Sequence, residues 1–179
     1  MLRLVTGASA SGKSEYAENL ALRLGERRVY VATMQIWDEE DAIRAARHKR
    51  QRAGKGFVTL ERSADLEHLS LPDPGRRPAA DVILLECLTH LAVNEFYREE
   101  AGAKRRILNG IRHLEEQCGT LIVVTGEIGC DGIRYDEESE RYRRLLGDLN
   151  RSLAARAASV TEVVCGIALP VRRAAGIKN

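Results

Sequence analysis

Aromatic side chains are scarce: of 179 residues only 4% are Phe, Trp or Tyr, with a single tryptophan. That argues against a surface built to stack exposed bases, because single-stranded nucleic acid is held on aromatic platforms set among basic residues. Charge of one sign is lacking too. Twenty-eight Lys and Arg against 26 Asp and Glu leave a net charge of +2, so any basic cluster needs a local explanation. Cys87, Cys118, Cys130 and Cys165 form no C-x-x-C pair, which removes the common zinc-site and disulfide-framework signatures. No apolar run approaches the roughly 20 residues that span a bilayer. The N-terminal MLRLVTGASASGKS has too short an apolar stretch for a secretory signal, so the expectation is a cytoplasmic protein with reduced thiols. With 44% apolar and 30% charged residues, the chain is expected to fold as one domain over residues 1–179.

What is present is an alternation of short apolar runs with longer amphipathic ones. LRLVTG (2–7), RRVYVAT (27–33), VTLE (58–61), DVILLEC (81–87), TLIVVTGE (120–127) and EVVCGIAL (162–169) read as strands. Helices are expected after the first strand and over 38–52, 103–117 and 137–157. The segment at 38–52 has acids in its first turn and bases in its last, the polarity the helix dipole favours. Near-continuous apolar strands such as DVILLEC belong in sheets covered on both faces. The expected fold class is therefore α/β, a mostly parallel sheet flanked by helices. The proline-bearing connection at 72–80 reads as a surface loop.

Gly7-Ala8-Ser9-Ala10-Ser11-Gly12-Lys13-Ser14 satisfies G-x-x-x-x-G-K-[ST], between an expected strand and an expected helix. Small residues let such a loop curl until its backbone N–H groups converge on phosphate oxygens, assisted by the helix N-terminus. Lys13 would reach the β- and γ-phosphates of a nucleoside triphosphate, and the Ser14 hydroxyl would ligate Mg²⁺. A second Mg²⁺-holding acid is expected at the end of a buried strand, with Glu86 favoured and Glu127 second.

Residues 44–55, RAARHKRQRAGK, gather six Lys or Arg around His48. Arg44, His48 and Arg52 fall four residues apart and share a helix face. Facing a triphosphate, the cations would offset charge on phosphate oxygens, and a neutral His48 could attack phosphorus to form a phosphoramidate. A solvated helix face with an incidental histidine explains the same residues, and so, less well, does a nucleic-acid patch.

The combined pattern resembles the bifunctional adenosylcobinamide kinase/adenosylcobinamide-phosphate guanylyltransferase family of cobalamin biosynthesis. The similarity runs from LVTGASASGKSEYAE through VYVATMQIWDEEDAIRAARHKRQR, FVTLE, VILLECLTHLAVNE and VTGEIG to LLGDLNRSLAARAASVTEVVCGIALP. It implies a RecA-like P-loop core and a homotrimer. His48 would become guanylylated and, with Lys13, carry the catalysis. Gly7 to Ser14 would hold the triphosphate. Ala32, Thr33, Met34, Lys49, Arg50, Gln51, Arg52, Glu61 and Glu86 would lie in nucleotide-contacting stretches. The implied substrates are GTP, ATP, adenosylcobinamide and its phosphate. This chain departs from the family pattern at Ala10, where an arginine is usual, and at Gly126–Gly129, Arg134-Tyr135, Arg143-Arg144 and Asn150-Arg151. One residue is inserted between Arg52 and Phe57. Two other functions compete: a P-loop small-molecule kinase without guanylyl transfer, and a nucleotide-switched nucleic-acid-binding module.

Overall fold

The computed structural model describes residues 1–72, 75, 77–129 and 132–173, excluding the side chain of Arg44. Cys130 and part of the expected 72–80 surface loop lie outside the described residues. Seven strands form one sheet: β1 (Leu2–Thr6), β2 (Arg28–Ala32), β3 (Phe57–Glu61), β4 (Ala80–Glu86), β5 (Cys118–Val124), β6 (Ser159–Val164) and β7 (Ile167–Arg172). Their order across the sheet is β3-β2-β4-β5-β1-β6-β7, parallel throughout except for the final β6–β7 pair. The helices are α1 (Lys13–Leu24), α2 (Glu39–Arg52), α3 (Leu88–Arg98), α4 (Ala103–Gln117) and α5 (Glu137–Arg156).

Side-chain alternation along the strands divides the core in two. On β4, Ile83 and Leu85 join the larger cluster with residues of α3, α4 and α5, whereas Val82 and Leu84 join the smaller one with Ala17 and Ala21 of α1. Both faces are covered, which is why DVILLE carries no polar alternation. Each fully buried aliphatic side chain contributes about 1.5–3 kcal/mol, so Val82, Ile83, Leu84 and Leu85 anchor β4 firmly and Glu86 rides on its end.

Two elements differ from the expected pattern. The stretch LTHLAVNEFYR forms α3, which the strand-and-helix reading does not include. Leu88, Leu91, Ala92 and Phe96 have helical spacing, but the fifth buried position is Glu95. That carboxylate is tolerated because Arg106 Nε donates to it at 2.7 Å and the Asp65 backbone N–H donates at 2.7 Å. The expected last strand, 162–169, is instead a hairpin. The chain reverses at Cys165-Gly166, whose φ values of 50° and 80° fit the mirror-image turn of two-residue hairpins. Cysteine is not a residue that announces such a turn.

Gly110 shows how closely α4 packs. A Cβ there would stand 2.6 Å from Leu66 Cβ and 3.3 Å from the Glu67 backbone nitrogen, in the short 3₁₀ turn Leu66–His68. Ala normally outranks Gly inside a helix, yet Gly110→Ala should destabilise by about 1–3 kcal/mol through overpacking. Urea unfolding of the two proteins checks the sign.

Candidate active site

The phosphate loop leaves β1 and enters α1 through backbone conformations that its small residues permit. Gly7, Ala10 and Gly12 have φ of 154°, 56° and 92°. A Cβ on Gly7 would sit 2.5 Å from the Val163 carbonyl oxygen and 2.6 Å from Ser11 Oγ, so this position is closed to any side chain. Within the loop, Ser11 N–H donates to the Ala8 carbonyl at 3.2 Å, and Lys13 Nζ donates to the same oxygen at 2.9 Å. The β6–β7 turn braces the loop from behind, Gly166 N–H donating to the Ser11 carbonyl at 2.8 Å. The N-cap residue of α1, Gly12, has no side chain to cap the helix, whose first N–H groups suit an anion.

Glu86 meets the loop at Ser14. The Ser14 hydroxyl donates to Oε1, and the Tyr30 hydroxyl donates to Oε2 at 2.7 Å. Burial, reinforced by the neighbouring carboxylate of Glu86, raises the Tyr30 phenol far above its ordinary value, which keeps it a donor. Arg52 covers the Tyr30 ring, its guanidinium carbon 3.7 Å from the ring centroid. A hydroxyl and a carboxylate brought together are the hard oxygen donors that suit Mg²⁺, which keeps several waters and phosphate oxygens in its shell. Glu127 lies beyond the end of β5 and also faces the loop, but it is Glu86 that bonds Ser14.

Two adjoining cavities open here. One, of about 730 Å³, is lined by Gly7, Ser9, Ala10, Ser11, Gly12, Lys13 and Ser14, together with Gln51. The other, of about 710 Å³, is lined by Ala32, Met34, Lys49, Arg52 and Glu61. Four residues belong to both walls: His48, Glu86, Cys87 and His90. Ala8 contributes its carbonyl to Lys13 rather than lining either space. Thr33 is fully buried; its hydroxyl donates to the Cys87 carbonyl at 2.8 Å and accepts from Cys87 N–H at 2.7 Å, fixing the turn that follows Glu86. Arg50 is exposed and lines neither cavity.

His48 is placed by α2, which is capped by Asp38, whose side chain accepts from Asp41 N–H at 2.8 Å. The imidazole Nδ1 is shielded from solvent and has no hydrogen-bond partner among the described residues, which leaves Nε2 as the nitrogen able to meet a ligand. Residue reading alone missed Tyr30, Cys87, His90 and the exposed Trp37, which lines the second cavity at 79% exposure. None stands in a short motif; only tertiary proximity assigns them. Cys87 Sγ lies 3.2 Å from His90 Nδ1, and burial raises the thiol's pKa, so Cys87 is no ready nucleophile.

A strand–loop–helix with a lysine, a serine and an acid from the end of a second buried strand, β4, which β5 separates from β1, defines a P-loop nucleotide-binding protein. The KaiC-like protein PH0186 of Pyrococcus horikoshii OT3 shares this RecA-like fold at TM-score 0.51 and 17% identity, over 90% of this chain and 69% of that one. Within that class, the chain belongs to the cobinamide kinase / cobinamide phosphate guanyltransferase family, whose model matches residues 3–171. It is therefore an enzyme, and both transferase activities in that description are its family's.

The bifunctional adenosylcobalamin biosynthesis protein CobU of Escherichia coli is 30% identical over 96% of this chain and 100% of its own length. CobU of Salmonella typhimurium is 32% identical with the same coverage, and CobP of Pseudomonas aeruginosa is 32% identical over 96% and 98%. Among the described residues no helix is long and apolar enough to cross a membrane.

Proposed function

We propose that this enzyme phosphorylates adenosylcobinamide and then guanylylates the product through a covalent intermediate on His48. The observation that carries the reading is the position of His48 in the walls of both cavities, beside the phosphate loop and beside Glu86. The first cavity suits the triphosphate, and the second suits a nucleoside or the acceptor.

In the kinase step the acceptor's aminopropanol hydroxyl oxygen attacks the γ-phosphorus of ATP or GTP. The bond to the β-phosphate oxygen breaks, the nucleoside diphosphate leaves, and the hydroxyl proton passes to solvent. Lys13 and the loop N–H groups stabilise the charge that spreads over the phosphoryl oxygens. In the second reaction the lone pair of His48 Nε2 attacks the α-phosphorus of GTP. A P–N bond forms, the bond from α-phosphorus to its bridging oxygen breaks, and pyrophosphate departs. A phosphate oxygen of adenosylcobinamide phosphate then attacks the same phosphorus. The P–N electron pair returns to the imidazole, and adenosylcobinamide-GDP is released.

Ser14 and Glu86 are the residues that would hold Mg²⁺, which supplies charge neutralisation at the phosphates. Lys49, Gln51 and Arg52, on the same helix as His48, would contact the nucleotide, with Glu61 facing it across the second cavity.

A homotrimer is part of the proposal. It is supported by the edge strand β7, which leaves Ile167, Leu169 and Val171 exposed at 64%, 46% and 66%. Sedimentation velocity measures the assembly directly.

Mass spectrometry after incubation with GTP and Mg²⁺ tests the central claim. The expected result is a gain of one GMP on the peptide containing His48, stable to base and labile to acid. An unmodified peptide in an enzyme that still turns over would leave the small-molecule kinase as the surviving reading.

A further inference from the structure

The helix that carries His48 has almost nothing apolar holding it. None of the described side chains of α2 is buried, and a helix without a buried face gains little orientation from packing. Two described ties to the body of the protein lie at its C-terminal end. Arg52, one turn beyond His48, covers the ring of Tyr30. In the turn that follows, Lys55 N–H donates to the Arg52 carbonyl at 3.0 Å, and Lys55 Nζ stands 2.5 Å from Glu18 Oε2.

Glu18 belongs to α1, the helix that starts at the phosphate loop, and its side chain is 0% exposed. Neither reaction uses it. Its second oxygen, Oε1, has no hydrogen-bond partner among the described residues. Burial raises the Glu18 carboxyl pKa, with Lys55 acting against the rise. A buried carboxylate held by one cation is a costly arrangement, and a hydrophobic pair of similar volume is often no less stable. Stability therefore does not account for it, whereas fixing one helix against another does.

We propose that the Lys55–Glu18 ion pair is the clamp that fixes the C-terminal end of α2 against the phosphate-loop helix, and thereby sets where His48 presents Nε2 to the α-phosphorus. Lys55 and Glu18 are positioning residues, and the proposal rests on the reading of His48 as guanylyl acceptor. The lever is short and stiff. His48 stands one turn before the helix end at Arg52; with a rise of about 1.5 Å per residue that is about 6 Å, so a tilt of about 10° about that end moves it by roughly 1 Å. The kinase step needs no such reach, because its electrophile sits on the loop itself.

The test is single-turnover labelling of His48 with α-labelled GTP, run beside γ-phosphoryl transfer to adenosylcobinamide, in Lys55→Met, Lys55→Arg and the double variant Glu18→Leu/Lys55→Met. Lys55→Met should slow labelling on the order of tenfold to a hundredfold, the scale of an ångström-sized misplacement. Phosphoryl transfer should stay near the unmodified rate. Lys55→Arg should recover most of the labelling, since it can still reach the carboxylate. The double variant removes the unpaired buried charge, so it should regain the melting temperature of the parent without regaining the labelling rate.

Unchanged labelling in the double variant would overturn the clamp, as would a parallel fall of both activities in step with the folded fraction. If the parent protein itself carries label on no histidine, it is the acceptor reading that has failed, and the clamp falls with it.

Discussion

Replacing His48 with alanine is expected to abolish the guanylyl adduct and the formation of adenosylcobinamide-GDP, while phosphorylation of adenosylcobinamide persists. Two other side chains with nucleophilic atoms share both cavity walls, and the adduct is expected on neither. Cys87 shares both cavity walls, but burial raises its thiol pKa and disfavours the thiolate. His90 also shares both walls, its Nδ1 lying 3.2 Å from Cys87 Sγ, but it stands on α3 and not on the basic helix that carries His48. Loss of a covalent nucleophile costs on the order of 10³-fold or more in rate. The kinase step draws on the loop and Glu86, which the substitution leaves untouched. Assaying both products from the same His48→Ala preparation gives the comparison. A proportional loss of both would mean that His48 shapes the site rather than reacting in it.

Lys13→Ala should act on both reactions at once. Lys13 opens α1 at the mouth of the phosphate-loop cavity and donates to the Ala8 carbonyl at 2.9 Å, from which it can turn to phosphate oxygens. A cation aimed at developing phosphoryl charge is worth about 10²–10³-fold. Phosphorylation and guanylylation should therefore each fall by that order. Thermal unfolding should change little, since the hydrogen bond that the lysine donates is solvent-exposed and such a bond contributes little. Steady-state rates of the two half-reactions with each variant complete a two-by-two comparison. His48→Ala separates the activities, whereas Lys13→Ala does not. Retention of guanylylation in Lys13→Ala would place the α-phosphate chemistry away from the loop.

Much of this site was legible residue by residue, and the reasons are local. The phosphate loop reads directly because its geometry forces small residues at fixed spacing: at Gly7 a side chain would collide with the Val163 carbonyl. Glu86 is legible because a parallel strand covered on both faces must end where polarity returns. The acidic start and basic finish of α2 follow from the helix dipole and are found as expected. Where local signals fail, the cause is equally definite. Glu95 breaks the apolar pattern of α3, and its burial is made possible by Arg106, eleven residues further on, and by the Asp65 backbone N–H, thirty residues back. The hairpin at Cys165-Gly166 has no conventional turn residue in its first place.

The chain by itself determined an α/β sheet with a phosphate loop and a basic helix carrying one histidine, because periodicity, glycine spacing and dipole polarity act over a few residues. Only the tertiary structure decided that His48 stands in the walls of two cavities, that Tyr30 and Ser14 share Glu86, and that Lys55 reaches Glu18. Those placements depend on contacts between residues tens of positions apart, created when the sheet orders its strands and closes the helices over it.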